Sequence, residues 1–209
     1  EAPQWTSARA FEHGMRFVHQ NPAVFGDLTV AENLAVGNRF PTGIGGRIRW
    51  AALNAHAQKL IDRYHIMASP GTPVRALNPA SRTMVAVARA LADRDGADSG
   101  VLVLDEPTTS LPAGEIDVLL AALRRCARAG QTILYVSHRL DEVLSLADRV
   151  TVLRDGHRVA TASAADLTEA KLVELIAGRP LTLNQPDSAG HHDTDEVLDV
   201  HGLRGGPLR

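Results

Sequence analysis

The chain has a single cysteine, Cys126, in 209 residues, so no internal disulfide can form. Its place in a helical pattern makes it a small apolar packing residue. No apolar run approaches the roughly 18–20 residues that span a bilayer, and no signal-peptide pattern opens the chain. A cytoplasmic protein is expected, with any membrane link made through a partner. Charge of one sign is missing too. Twenty-two Lys and Arg face 24 Asp and Glu, a net −2. That balance argues against phosphate-backbone binding, so no nucleic-acid partner is expected. What is there is ordinary globular composition, 44% hydrophobic and 22% charged, enough for one α/β domain or one domain plus a piece of a neighbour. The chain opens on Glu1 rather than Met, close to a strand, and reads as cut from something longer.

Arg16-Phe17-Val18-His19 reads as a short strand ending at Gln20. After a loop with Pro22 and Gly26, Thr29-Val30-Ala31-Glu32 has the spacing of a capping box that opens a helix. Residues 37–49 hold four glycines and a proline and predict a loop. Leu53, Ala57, Leu60, Ile61 and Tyr64 share one face of a helix over 51–67. A second helix follows over about 80–93. The period then changes. Val101-Leu102-Val103-Leu104 is a continuous apolar run, the pattern of a strand covered on both faces. Residues 114–129 return to helical spacing, and Thr132–Val136 predicts another buried strand. A short helix over 139–148 precedes two strands around Arg154-Asp155-Gly156-His157, where Asp-Gly signals a hairpin. A last helix over 168–177 stops at Gly178. Residues 179–195 read as a polar linker, in which His191-His192 lack a third metal ligand at sensible spacing. Residues 196–203 look like the first strand of another unit. The alternation points to an α/β fold with a parallel sheet, interrupted by a helical lobe over about 29–93.

The chemistry concentrates in Val101-Leu102-Val103-Leu104-Asp105-Glu106-Pro107-Thr108. A hydrophobic strand delivers two carboxylates at its carboxyl end, where open α/β sheets hold ligands. Asp105 suits a Mg²⁺ ion, directly or through water. Glu106 suits polarising a water that attacks a phosphate. Thirty-two residues later His138 follows a second strand. A parallel neighbour would bring it to the same edge, where an imidazole can bond a γ-phosphate and orient the water.

Taken with Phe17-Val18-His19-Gln20, Leu28-Thr29-Val30-Ala31-Glu32-Asn33-Leu34 and the run Ala147–Gly156, these motifs resemble the ABC-type ATPases, and closely the tandem-domain ATPases of sugar importers. The resemblance covers nearly the whole chain and implies a P-loop-type ATPase fold with an inserted helical subdomain. It implies ATP and Mg²⁺ as cofactors. It implies Gln20 as the lid glutamine sensing Mg²⁺ and water, Asp105 as the Walker B aspartate, Glu106 as the catalytic glutamate, Ser110 in the D-loop, and His138 as the switch histidine. The implied partners are a second nucleotide-binding domain, membrane permease subunits and, indirectly, a periplasmic or lipoprotein solute-binding protein, with the ATPase on the cytoplasmic face of the membrane. The segment after residue 195 is then the start of a second nucleotide-binding domain, and residues 1–178 a partial first one.

Two features depart from the family. No Gly-x-x-x-x-Gly-Lys-Ser/Thr occurs, and Gly43-Ile44-Gly45-Gly46 has no lysine and lies after Gln20. Little is left to cradle β- and γ-phosphates, so the chain alone is expected to bind ATP weakly or not at all. The signature segment, which the family uses to contact the partner domain's nucleotide, reads Asn78-Pro79-Ala80-Ser81-Arg82. Pro79 has no N–H and Ala80 adds a Cβ, so the composite site built on this segment is expected to be weak. Two other readings stand beside the importer: a degenerate domain acting as scaffold or regulatory partner, and a non-transport ABC ATPase. The second would bring a basic arm, a coiled-coil insertion or long charged linkers, and none is present.

Overall fold

The structure, a computed structural model, describes residues 6–38, 40–92 and 100–179. The expected linker, beyond Arg179, and the expected second unit at 196–209 lie outside them. The elements in chain order are α1 (Ser7–Glu12), β1 (Met15–Val18), α2 (Val30–Ala35), α3 (Trp50–Tyr64), α4 (Pro79–Leu91), β2 (Val101–Asp105), α5 (Ala113–Arg128), β3 (Thr132–Val136), α6 (Leu140–Leu146), β4 (Arg149–Arg154), β5 (His157–Ser163) and α7 (Glu169–Ala177).

Strands β1, β2 and β3 form a parallel sheet in that order, with Val18 opposite Leu104 and Asp105 opposite Val136. Between β1 and β2 the described residues hold helices α2, α3 and α4 with loops between them. The Thr29–Glu32 capping box is formed in full: the Thr29 hydroxyl accepts the Glu32 N–H and Glu32 accepts the Thr29 N–H at 2.7 Å. One aliphatic core runs from this helical region into the sheet. Leu34, Leu53 and Val85 share it with Leu102, Leu104 and Leu123, all 0–2% exposed. Helix α4 packs on α2, α5 and β1, so the last helix of the insertion rests directly on the sheet.

The strands are less covered than their apolar runs predict. Leu102 and Leu104 are fully buried, but Val101 and Val103 are only half-buried. Strand β3 is not a buried strand at all: Leu134 is 54% and Val136 45% exposed. Phe17, Val103 and Leu134 stand in register across the sheet on a face that no described element covers. The helices lie on the opposite face, and a run of valines and leucines cannot say by itself whether one face or both is covered.

Strands β4 and β5 form a separate antiparallel hairpin, with Arg154 opposite His157. Asp155 (φ +50) and Gly156 (φ +75) occupy the two-residue turn, the left-handed pair that a type I′ turn requires. Helix α7 lies against β4. It ends at Gly178 in the left-handed conformation, as glycine after a helical run predicts.

Candidate active site at the carboxyl edge of the parallel sheet

The parallel register places Gln20, Asp105, Glu106 and His138 at one edge, because each follows the last residues of β1, β2 or β3. Asp105 ends β2 and is exposed. Gln20 lies two residues beyond β1, also exposed. The closest contact is between the other two: His138 Nδ1 lies 3.0 Å from Glu106 Oε1. A carboxylate can only accept, so Nδ1 carries the proton in this pair and the other ring nitrogen is left for a further partner. Glu106 Oε2 accepts from the Thr109 hydroxyl at 3.1 Å. These two hydrogen bonds, His138 first, hold the Glu106 carboxyl below its ordinary value of 4.5. Glu106 is therefore ionised at neutral pH, the state a general base needs.

Glu106 also carries backbone strain. Its φ is +47, the left-handed region that costs an L-residue roughly 1–2 kcal/mol. Such strain persists where surroundings over-determine it. Here the Glu106 N–H donates to Val136 O at 2.9 Å, and the Glu106 carbonyl accepts from the Thr109 N–H at 3.3 Å. Beneath this turn lies a buried cluster that the sequence reading passed over. Glu142 on α6, 2% exposed, accepts from the Thr108 hydroxyl at 2.7 Å and the Tyr135 hydroxyl at 2.6 Å. Arg139 Nε stands 2.7 Å from its other oxygen. An acid four residues after a histidine reads as a solvated helix face; only the fold turns it inward.

The segment Asn78–Arg82 forms the start of α4. Asn78 is its N-cap, its side-chain oxygen accepting the Ser81 N–H at 2.9 Å. The Ala80 N–H donates to Glu115 Oε2 from α5 at 2.8 Å. Arg82 turns back onto the carbonyls of Leu77 and Arg75, at 3.0 and 2.7 Å. The backbone N–H groups of Ala80, Ser81 and Arg82 are thus engaged within the chain. Ser110 sits exposed in the turn between β2 and α5.

Among the described residues no three His, Cys, Asp or Glu side chains cluster as a metal cage. Mg²⁺ needs no such cage, since it takes one or two carboxylates and completes its shell with water and phosphate oxygens. Asp105 is an exposed carboxylate at that edge, and Gln20 follows the neighbouring strand by two residues.

A parallel sheet thus carries an Asp-Glu pair at the end of β2 and a histidine just beyond β3. The chain shares its fold with ATPase subunits of ABC transporters. It superposes on a CbiO1 subunit from Clostridium perfringens (TM-score 0.63, 20% identity, 81% of this chain and 66% of that one). It also superposes on a putative metal-chelate-type ABC transporter (TM-score 0.63, 17% identity, 80% and 65%). The sequence narrows this further. It is 37% identical to the ribose import ATP-binding protein RbsA of Jannaschia sp. strain CCS1 over 203 residues, 97% of this chain and 38% of that protein. It is 38% identical to RbsA 2 of Rubrobacter xylanophilus over 191 residues, 91% and 36%. The chain is similar to these ribose import ATP-binding proteins over nearly all of its own length, and spans about 38% of the length of the Jannaschia protein. No protein-family model matches the sequence.

Proposed function

We propose that this chain forms part of an ATP-hydrolysing subunit that energises carbohydrate uptake through an ABC importer, with a ribose-type sugar as the first solute to test. The observation that carries the reading is the Glu106–His138 contact of 3.0 Å at the sheet edge beside Asp105. In that arrangement Glu106 takes the proton of an attacking water, once the water replaces one of its present donors. His138 fixes the carboxylate and offers its second nitrogen to a phosphate oxygen. Gln20 and Asp105 would hold Mg²⁺, which when bound supplies charge neutralisation at the transferring phosphate. The partners in this reading are a second nucleotide-binding domain, membrane permease subunits and, through them, a solute-binding protein, with the ATPase at the cytoplasmic face. Sugar import by the ribose relatives supports the solute class.

The geometry of Asn78–Arg82 favours one qualification of the simple two-site ATPase. With Pro79 lacking an N–H and the Ala80 N–H given to Glu115, this segment serves its nucleotide poorly, while Glu106 stands in a competent site.

The test is ATP hydrolysis and sugar uptake by the assembled importer. Glu106→Gln and His138→Ala are each expected to slow hydrolysis by about 10²-fold or more. Replacing Asn78 and Arg82 together should change it far less. Wild-type turnover in Glu106→Gln would overturn the assignment. Losses from the Asn78 and Arg82 pair equal to those from Glu106→Gln would overturn the inequality of the two sites.

A further inference from the structure

The closeness of Glu106 and His138 needs a cause, because neither is held by its own strand. Glu106 follows β2 in a left-handed turn, and His138 follows β3 by two residues and is 66% exposed in its side chain. The Glu106 N–H donates to Val136 O of β3, which ties the backbone of the turn to β3 but does not by itself bring the His138 ring to the carboxylate. The fold supplies one buried group between them. Glu142 touches Thr108, two residues past Glu106; Tyr135, three residues before His138; and Arg139, the residue directly after His138. All three lie in the two segments whose ends must meet.

We propose that Glu142 is the positioning residue of this site: its buried carboxylate clamps the β2 and β3 loops together and so sets the Glu106–His138 distance. The inference rests on the functional reading above. The clamp uses both oxygens differently. Oε2 accepts two hydroxyl donors at 2.6–2.7 Å, lengths typical of a charged acceptor. Oε1 is buried without a hydrogen bond of good geometry, and has only the Arg139 charge, its Nε 2.7 Å away but off the line. Burial and the Glu142 carboxylate both push the Tyr135 hydroxyl well above its usual range, so Tyr135 remains a donor at any working pH. Glu142 itself is closed off from solvent. Its action on chemistry runs through the two loops alone.

The experiment is a kinetic series in the complete ATPase assembled with its membrane partner. Glu142→Gln keeps the shape but sets an amide against Arg139. Tyr135→Phe and Thr108→Val each delete one donor, and Thr108→Ser restores it. Misplacement of about 1 Å can cost on the order of 10²-fold in rate. Glu142→Gln is expected to lower kcat by roughly ten- to a hundredfold with KM for ATP within about twofold. Thr108→Val should lose rate and Thr108→Ser should keep it. The decisive comparison is the double variant Glu142→Gln with His138→Ala. If Glu142 works through His138, the pair is no slower than His138→Ala alone. Multiplied losses, or a Glu142→Gln enzyme at wild-type kcat while His138→Ala is slow, overturn the clamp. If Glu142→Gln loses its folded circular dichroism spectrum, Tyr135→Phe and the Thr108 pair decide by the same criteria. If Glu106→Gln and His138→Ala both turn over at the wild-type rate, the functional reading itself fails.

Discussion

Thr29 and Glu32 show how far a pair of side chains can be followed from sequence to energy. Their spacing predicts a capping box, and both reciprocal hydrogen bonds are present. Thr29→Ala should destabilise the protein by about 1 kcal/mol in denaturant titration at pH 7. The pH dependence follows from Glu32, whose carboxyl is held below its ordinary 4.5 first by the Thr29 N–H and then by the Thr29 hydroxyl. A depressed folded value means the unfolded chain takes up the proton first on acidification. The stabilisation is complete above about 4.5, and it fades as pH falls through the lowered value. The gap between wild type and Thr29→Ala should therefore narrow in acid; a gap that widens below pH 4 would contradict the sign. Glu106, Asp105 and His138 were equally legible, because strand-end acids and a histidine at parallel spacing specify an edge. Glu142 was not. Burial of a carboxylate depends on what the rest of the fold lays over it, and a four-residue helical offset from His138 contains no such information.

At the scale of elements, most boundaries follow local chemistry. The Asp155-Gly156 turn, the Gly178 stop and the Asn78 cap sit where residue type demands. The loop between β1 and α2 is held by something less visible. Asn33, fully buried, accepts the Phe25 N–H at 2.8 Å and donates to the Phe25, Leu28 and Thr29 carbonyls at 2.9, 3.3 and 3.0 Å. It ties the segment that follows Gln20 onto α2. Asn33→Leu would leave several buried backbone groups without partners, at about 1–3 kcal/mol each when unrelieved by water. Urea unfolding should show a loss of at least about 2 kcal/mol, with amide exchange at Phe25 accelerated more than in α5. Unchanged exchange at Phe25 would show that the loop is held by other means. The coverage of β2 and β3 was the element-scale error. Hydrophobic content says that a strand prefers to be buried, and it does not say what covers it.

For the whole molecule, the parallel sheet, its open face and the separate hairpin belong together. Phe17, Leu134 and Val136 are 45–54% exposed on one side of a three-stranded sheet whose other side is packed with leucine and valine. Among the described residues no helix is long and apolar enough to cross a membrane. The carboxyl edge brings Asp105 and Glu106 together but carries no lysine: the chain's two, Lys59 and Lys171, lie exposed on α3 and α7. Two carboxylates with no lysine beside them hold a triphosphate poorly. Calorimetric titration of Mg-ATP into the 209-residue chain should give no saturation in the micromolar range, and micromolar affinity would overturn that expectation. The left-handed turn at Glu106 bears on the scaffold alternative from another side. A position at φ +47 is one that mutation, left unopposed, moves toward glycine or asparagine, because either relaxes the backbone by roughly 1 kcal/mol. A domain relieved of chemistry would gain stability by drifting that way. Glutamate at that position, with His138 on its carboxylate, holds a backbone conformation that costs the fold stability.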